Sequence, residues 1–152
     1  MQISGAGSVD PKSFEQMWVQ REKPQGGSGN QIELARGAHR FFGLKFSNYD
    51  YPDKITIDIL VLRSGRKVWT DRLITWHGNN RMERINLPTL AQGGYSYVNT
   101  NIMFRRLADG SYELIVTPWA SDLSRSWQEA SAKKRLLFGV GSGGSTRLIG
   151  LI

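Results

Sequence analysis

Residues 69–88 read WTDRLITWHGNNRMERINLP. Two alternating apolar segments flank a tip made of His77, Gly78, Asn79, Asn80 and Arg81, with Glu83 and Arg84 close behind. A hairpin needs only a Gly or an Asn to take up the turn, so the turn alone leaves His77, Arg81, Glu83 and Arg84 unexplained. Side chains of these types read base edges: Arg suits guanine, Asn and Gln suit adenine, and Glu accepts from the cytosine amine. A surface built only for phosphates would be richer in Lys. The competing reading is a solvated turn, in which Gly78 with Asn79 or Asn80 supplies the backbone and the charges face water.

The charge balance points to an anionic partner. Twenty Lys+Arg oppose thirteen Asp+Glu, a formal net charge of +7, and the isoelectric point is near 10.0. Arg63, Arg66, Lys67, Arg72, Arg81 and Arg84 crowd one stretch against Asp71 and Glu83; Arg21 and Lys23 mark a second, and Lys133-Lys134-Arg135 a third. Duplex DNA rewards such clusters, because each neutralised phosphate releases counterions. An acidic membrane surface or another polyanion attracts them by the same field.

Catalytic sets are missing. The chain has no Cys, which excludes disulfides, iron–sulfur clusters and thiolate zinc sites, and its two histidines, His39 and His77, are too few for a His-rich metal site. There is no GxSxG elbow. Gly139 to Gly143 is glycine-rich, but no Gly-Lys-Ser/Thr follows. The one Asp-x-Lys, Asp10-Pro11-Lys12, has no acidic companion upstream, and Asp58 stands alone in a strand as a solvated position. No cofactor is expected in this domain; Mg²⁺ would enter only with a nuclease domain elsewhere. No apolar run approaches the roughly 18 residues of a membrane span, and MQISGAGSVDPK lacks the basic start and apolar core of a secretory signal. The absence of Cys fits the reducing cytoplasm.

The elements that must position these residues are short. Residues 1–12 read as a flexible leader and 13–152 as one domain. Strands are expected at 14–20, 31–34, 55–62, 66–70, 72–76 and 82–87, with 101–107 and 112–117 forming a hairpin around Ala108-Asp109-Gly110. Ala35 to Phe42 is a candidate short helix stopped by Gly43. Asp122 to Lys134 is the best helix, with Ser126 and Glu129 at capping-box spacing. Closing strands are expected at 136–140 and 147–152. Many short strands with turns between them indicate a mainly β barrel or sandwich.

Two segments resemble the N-terminal effector-binding domain of EcoRII-type restriction endonucleases, a DNA-binding pseudobarrel of about seven strands related to plant B3 domains. The first is QREKPQGGSGNQIELARGAHRFF, Gln20 to Phe42; the second is DRLITWHG, Asp71 to Gly78, where Trp76-His77-Gly78 stands in place of an Arg-Trp-Gly order. NIMFRRLADGSYELIVTPWASD, Asn101 to Asp122, is similar to the closing hairpin and exit of that domain. The resemblance implies two arms, about 20–31 and 72–84, that leave one side of the barrel and grip the major groove. It implies base contacts from Asn30, His77, Asn79, Asn80, Arg81 and Glu83, and backbone contacts from Arg21, Lys23, Gln31, Arg72 and Arg84. Gly26, Gly27 and Gly29 would let their amides approach phosphates closely. The implied partners are double-stranded DNA and a nuclease catalytic domain of the same protein, with no membrane.

Four other readings stand beside it, among them a small nuclease in its own right, which would require a carboxylate cluster that the sequence does not show. One is a stand-alone DNA-binding regulator. Another is a β module for acidic polysaccharide that displays Tyr49, Tyr51, Tyr95 and Tyr97 in a row. The last is single-strand binding through the same tyrosines.

Overall fold

Alternating and β-branched stretches become nine strands: β1 (Gln16–Arg21), β2 (Gln31–Leu34), β3 (Ile55–Val61), β4 (Lys67–His77), β5 (Met82–Asn86), β6 (Thr100–Arg106), β7 (Tyr112–Pro118), β8 (Leu137–Gly139) and β9 (Leu148–Leu151). Among the described residues one α-helix, α1 (Asp122–Lys133), and 3-10 turns at Pro11–Ser13 and Ala38–Phe42 accompany them. The computed structural model describes residues 10–21, 30–35, 37–43, 55–63, 65–77, 82–139 and 147–152. Of the features expected above, Gly26, Gly27 and Gly29, Tyr49 and Tyr51, and the tip at 78–81 lie outside them.

The strands join one sheet in the order β2-β5-β4-β3-β7-β6-β1-β9-β8. Every pairing is antiparallel except β3 with β7. The sheet curls like a half-barrel, bringing its β2 edge back against β1. Among the described residues the sheet thus has nine strands, where about seven are expected.

The concave face holds the core. Alternation puts Met17 and Val19 of β1, Ile32 and Leu34 of β2, and Ile74 and Ile85 of the β4–β5 hairpin inside it, all fully buried. The candidate helix before Gly43 is the 3-10 turn Ala38–Phe42, closed by Gly43 at φ 73°. It delivers Phe42 edge-on to Phe104 and Tyr112.

The convex face is covered by α1. Trp18, fully buried, packs there with Met103 and Trp127. Its Nε1 donates to Ser131 Oγ of α1 at 2.9 Å, and Ser131 Oγ donates to the Leu151 carbonyl at 2.8 Å. Ser121 caps α1, accepting from Ser124 N at 3.0 Å. Ser126, expected at the cap, is inside the helix and donates to the Leu123 carbonyl.

Two expected strands, 66–70 and 72–76, fuse into the eleven residues of β4. Asp71 at φ 54° makes this work as a bulge rather than a turn. Its N–H donates to Asp58 Oδ1 at 3.1 Å where the register with β3 shifts between Ile57 and Ile59. Asp58 is exposed, as expected, and pins the bulge as well. At the other end of the chain, the last part of the expected leader is folded: Asp10 caps the first 3-10 turn, Pro11 is buried, and the Lys12 and Phe14 carbonyls accept from Arg106.

Candidate nucleic-acid interface

Both candidate arms root beside β5. β2 pairs with β5 from Gln31↔Asn86 to Leu34↔Glu83, and β4 pairs with β5 from Ile74↔Ile85 to His77↔Met82. β4 and β5 thus end toward the tip at His77 and Met82, one residue beyond the level of Leu34, while β2 begins at Gln31. His77 with Met82 therefore lies beyond one end of the edge strand β2 and Gln31 at its other end, roughly 13 Å apart along the strands at about 3.3 Å per residue. Asn79, Asn80, Arg81 and Lys23 lie outside the described residues, as does the side chain of His77, whose backbone ends β4.

Glu83 has a different task from the one expected. Strand alternation turns it to the core, where it is 0% exposed. Its carboxylate accepts from the backbone N–H groups of Gly37 and His39, with His39 Nδ1 at 3.1 Å. A carboxylate enclosed and occupied in this way has nothing to offer a cytosine amine. It fastens β5 to the turn that starts the 38–42 element. Asn30, half-buried, also makes hydrogen bonds within the protein. Its Nδ2 donates to Asn86 Oδ1 at 2.8 Å and to the Leu87 carbonyl at 2.9 Å, so it anchors the end of the first arm.

Four charged side chains meet where the curl brings β2 against β1. Glu33 and Arg84 are a cross-strand pair. Arg147, just before β9, donates to Glu33 Oε2 at 2.6 Å. Arg84 Nη2 is 3.9 Å from Glu33 Oε1, and its Nη1 is 3.4 Å from Gln31 Oε1. Arg21, the last residue of β1, is half-buried beside them. Its guanidinium is held below the usual arginine range, first by burial and then by Arg147 and Arg84, against the opposing pull of Glu33. Its Nε is enclosed with no hydrogen-bond partner. Arg72, half-buried on β4, donates from Nε to the Asn86 carbonyl at 2.8 Å.

Arg21, Gln31 and Arg84, expected at the DNA backbone, are therefore brought together. The basic stretch from Arg63 to Arg84 is not. Lys67 begins β4 and His77 ends it, a separation of roughly 30 Å of extended chain. Arg63 donates to the Gly94 carbonyl at 2.9 Å, and Lys67 Nζ lies 4.1 Å from the Trp69 ring centre. Glu33 and Arg147 carry no local sequence signal; 114 positions separate them.

The tyrosine row does not form among the described residues: Tyr97 is buried with its hydroxyl on the Pro88 carbonyl, and Tyr95 is half-buried. Tyr49 and Tyr51 lie outside those residues. Among the described residues no three His, Asp or Glu are grouped to hold a metal ion, and no helix is long and apolar enough to cross a membrane. No protein-family model matches the chain, and no curated protein matches it.

Proposed function

We propose that the chain is a sequence-specific double-stranded DNA-binding domain, acting in the cytoplasm as the target- or effector-recognition domain of a restriction endonuclease. In this reading the curled sheet is a B3-like pseudobarrel, and nuclease chemistry, with its Mg²⁺, belongs to another domain of the same protein. One observation carries the reading. The described ends of the two arms, Gln31 of the first and His77 with Met82 of the second, lie at opposite ends of the short β2–β5 ladder, and the arms carry Arg, Lys, Asn and Gln. That spacing of about 13 Å along the strands compares with a major groove about 12 Å wide. His77, Asn79, Asn80 and Arg81 read bases. Arg21, Lys23, Gln31, Arg72 and Arg84 hold the backbone. Glu83 and Asn30 support the arms from inside.

The test is selection of binding sites from a random duplex pool at two salt concentrations. A short enriched motif that persists at the higher salt is expected. Arg81→Ala should then cost about 1–3 kcal/mol on that motif and relax the preference at one base pair. Binding with no enriched motif that collapses as salt rises would reduce the surface to a generic polyanion site and end this reading.

A further inference from the structure

The third basic cluster of the sequence lies apart from both arms. Lys133 ends α1, Lys134 is its C-cap and Arg135 follows; all three are exposed. The Arg135 N–H donates to the Ala132 carbonyl at 3.0 Å and the Leu136 N–H to the Ser131 carbonyl at 2.8 Å, with Arg135 at φ 58°. This is the Schellman ending of a helix, whose left-handed position is most often Gly, because a Cβ is strained there. Arg135 therefore stands where glycine costs less. Its side chain is exposed, so packing into the core does not account for it. Cations near a helix C-terminus do favour the last carbonyls, but Lys133 and Lys134 already supply that charge. Residues 126–133 set one carboxylate, Glu129, against the three. The Leu136 carbonyl accepts from Leu151 N at 3.2 Å, and Leu151 pairs with Met17. The cluster thus sits level with the start of β1, roughly 13 Å along that strand from Arg21 at about 3.3 Å per residue.

We infer that Lys133, Lys134 and Arg135 form a second contact for duplex DNA, independent of sequence and made with backbone phosphates away from the two arms. The inference rests on the DNA-binding reading and adds a surface that the arms do not use. Successive helix positions point about 100° apart, so these cations spread over a surface rather than close on one anion. A polyanion whose charge repeats along its length fits that spread, and duplex DNA carries one charge per about 1.7 Å of its axis. Arg135 holds its place at the left-handed position because its charge serves binding, at a cost to the stability of the helix end.

That opposition between stability and binding supplies the test. Fluorescent duplexes, one carrying the selected motif and one scrambled, each extended by about 10 base pairs on both sides, are titrated across a salt series. The proteins are the wild type, Arg135→Gly, Arg135→Lys and a variant combining Lys133→Gln, Lys134→Gln and Arg135→Gly. Arg135→Gly should raise the urea midpoint, since glycine relieves the left-handed backbone. The same substitution should weaken both duplexes alike, roughly threefold at 0.1 M salt, and flatten the slope of log K against log salt by about 0.9. Arg135→Lys should keep the slope. The combined variant should flatten it by about 2.7 and keep the motif preference. A gain in stability beside a loss of binding excludes unfolding as the cause. An unchanged slope in the combined variant, with the wild type still selecting its motif, overturns the second contact and leaves the DNA-binding reading intact; the cluster would then serve the helix end or an acidic protein segment. Absence of duplex binding by the wild type removes both.

Discussion

A single carboxylate shows how a residue's type and its task diverge. Glu83 has the chemistry of a base reader and the address of a structural acceptor. Removing it as Glu83→Ala strands the N–H groups of Gly37 and His39 in the core, and each buried orphan donor costs about 1–3 kcal/mol. A loss of about 3 kcal/mol or more in urea unfolding is expected. Full stability with an altered motif preference would restore Glu83 to the DNA surface. Tyr97 makes a second residue-scale prediction. Burial raises its phenol far above the ordinary value of 10, and its hydroxyl donates to the Pro88 carbonyl at 2.6 Å. The folded protein keeps this proton while the unfolded chain gives it up. The contribution is therefore complete below about pH 10 and is lost as pH rises beyond it. Above that pH the wild type should lose stability more steeply than Tyr97→Phe, by up to about 1.4 kcal/mol per pH unit. Parallel curves for the two proteins would refute this.

Individual elements are placed by small residues as much as by large ones. β9 can lie against β1 because Gly150 leaves room for the Trp18 ring. A Cβ at Gly150 would stand 2.5 Å from that ring and 2.6 Å from Ser131 Oγ. Trp18 is fully buried and tied to α1 through Ser131, so neither side can yield cheaply. Gly150→Ala should destabilise by about 1–3 kcal/mol through overpacking, read as a lower urea midpoint. A Gly150→Ala protein of unchanged stability would show that the convex face is looser than its geometry indicates. The β4 bulge is another local device. Asp71 accepts a positive φ that few residues tolerate, and Asp58 holds its N–H.

Across the whole molecule, curling brings residues from both ends of the chain into one surface. The pairing of Arg147 with Glu33 links the last strand of the chain to the edge strand β2. Because a DNA ligand would contact several elements at once, binding should stabilise the fold as a unit. On the proposed DNA-binding function, a duplex carrying the selected motif at a hundredfold excess over Kd should add about 2.7 kcal/mol. For a chain of this size that is a rise in Tm of about 5–10 °C. A scrambled duplex at the same concentration should add less, and the difference should grow with salt as the nonspecific part is screened. Equal shifts from both duplexes would argue against sequence reading.

Elements that depend on close neighbours were legible in the sequence. The β-branched run at 55–61, the strand at Gln31–Leu34, the Asp109-Gly110 hairpin with Gly110 at φ 89°, and α1 all follow from periodicity and turn chemistry within a few residues. The side-chain types in the two loops were equally plain, and so was the surplus of positive charge. Only the tertiary structure decided that Glu83 faces the core, because its side follows from the burial of Ile85 and Ile74 across the hairpin. It also divided the Arg63–Arg84 run along β4 and gathered Arg21, Glu33, Arg84 and Arg147 at one seam. Strand partners distant in sequence are chosen by how a whole face is buried, and closing a longer loop adds little cost. A local pattern therefore fixes each strand, while the curl of the sheet determines which charges meet.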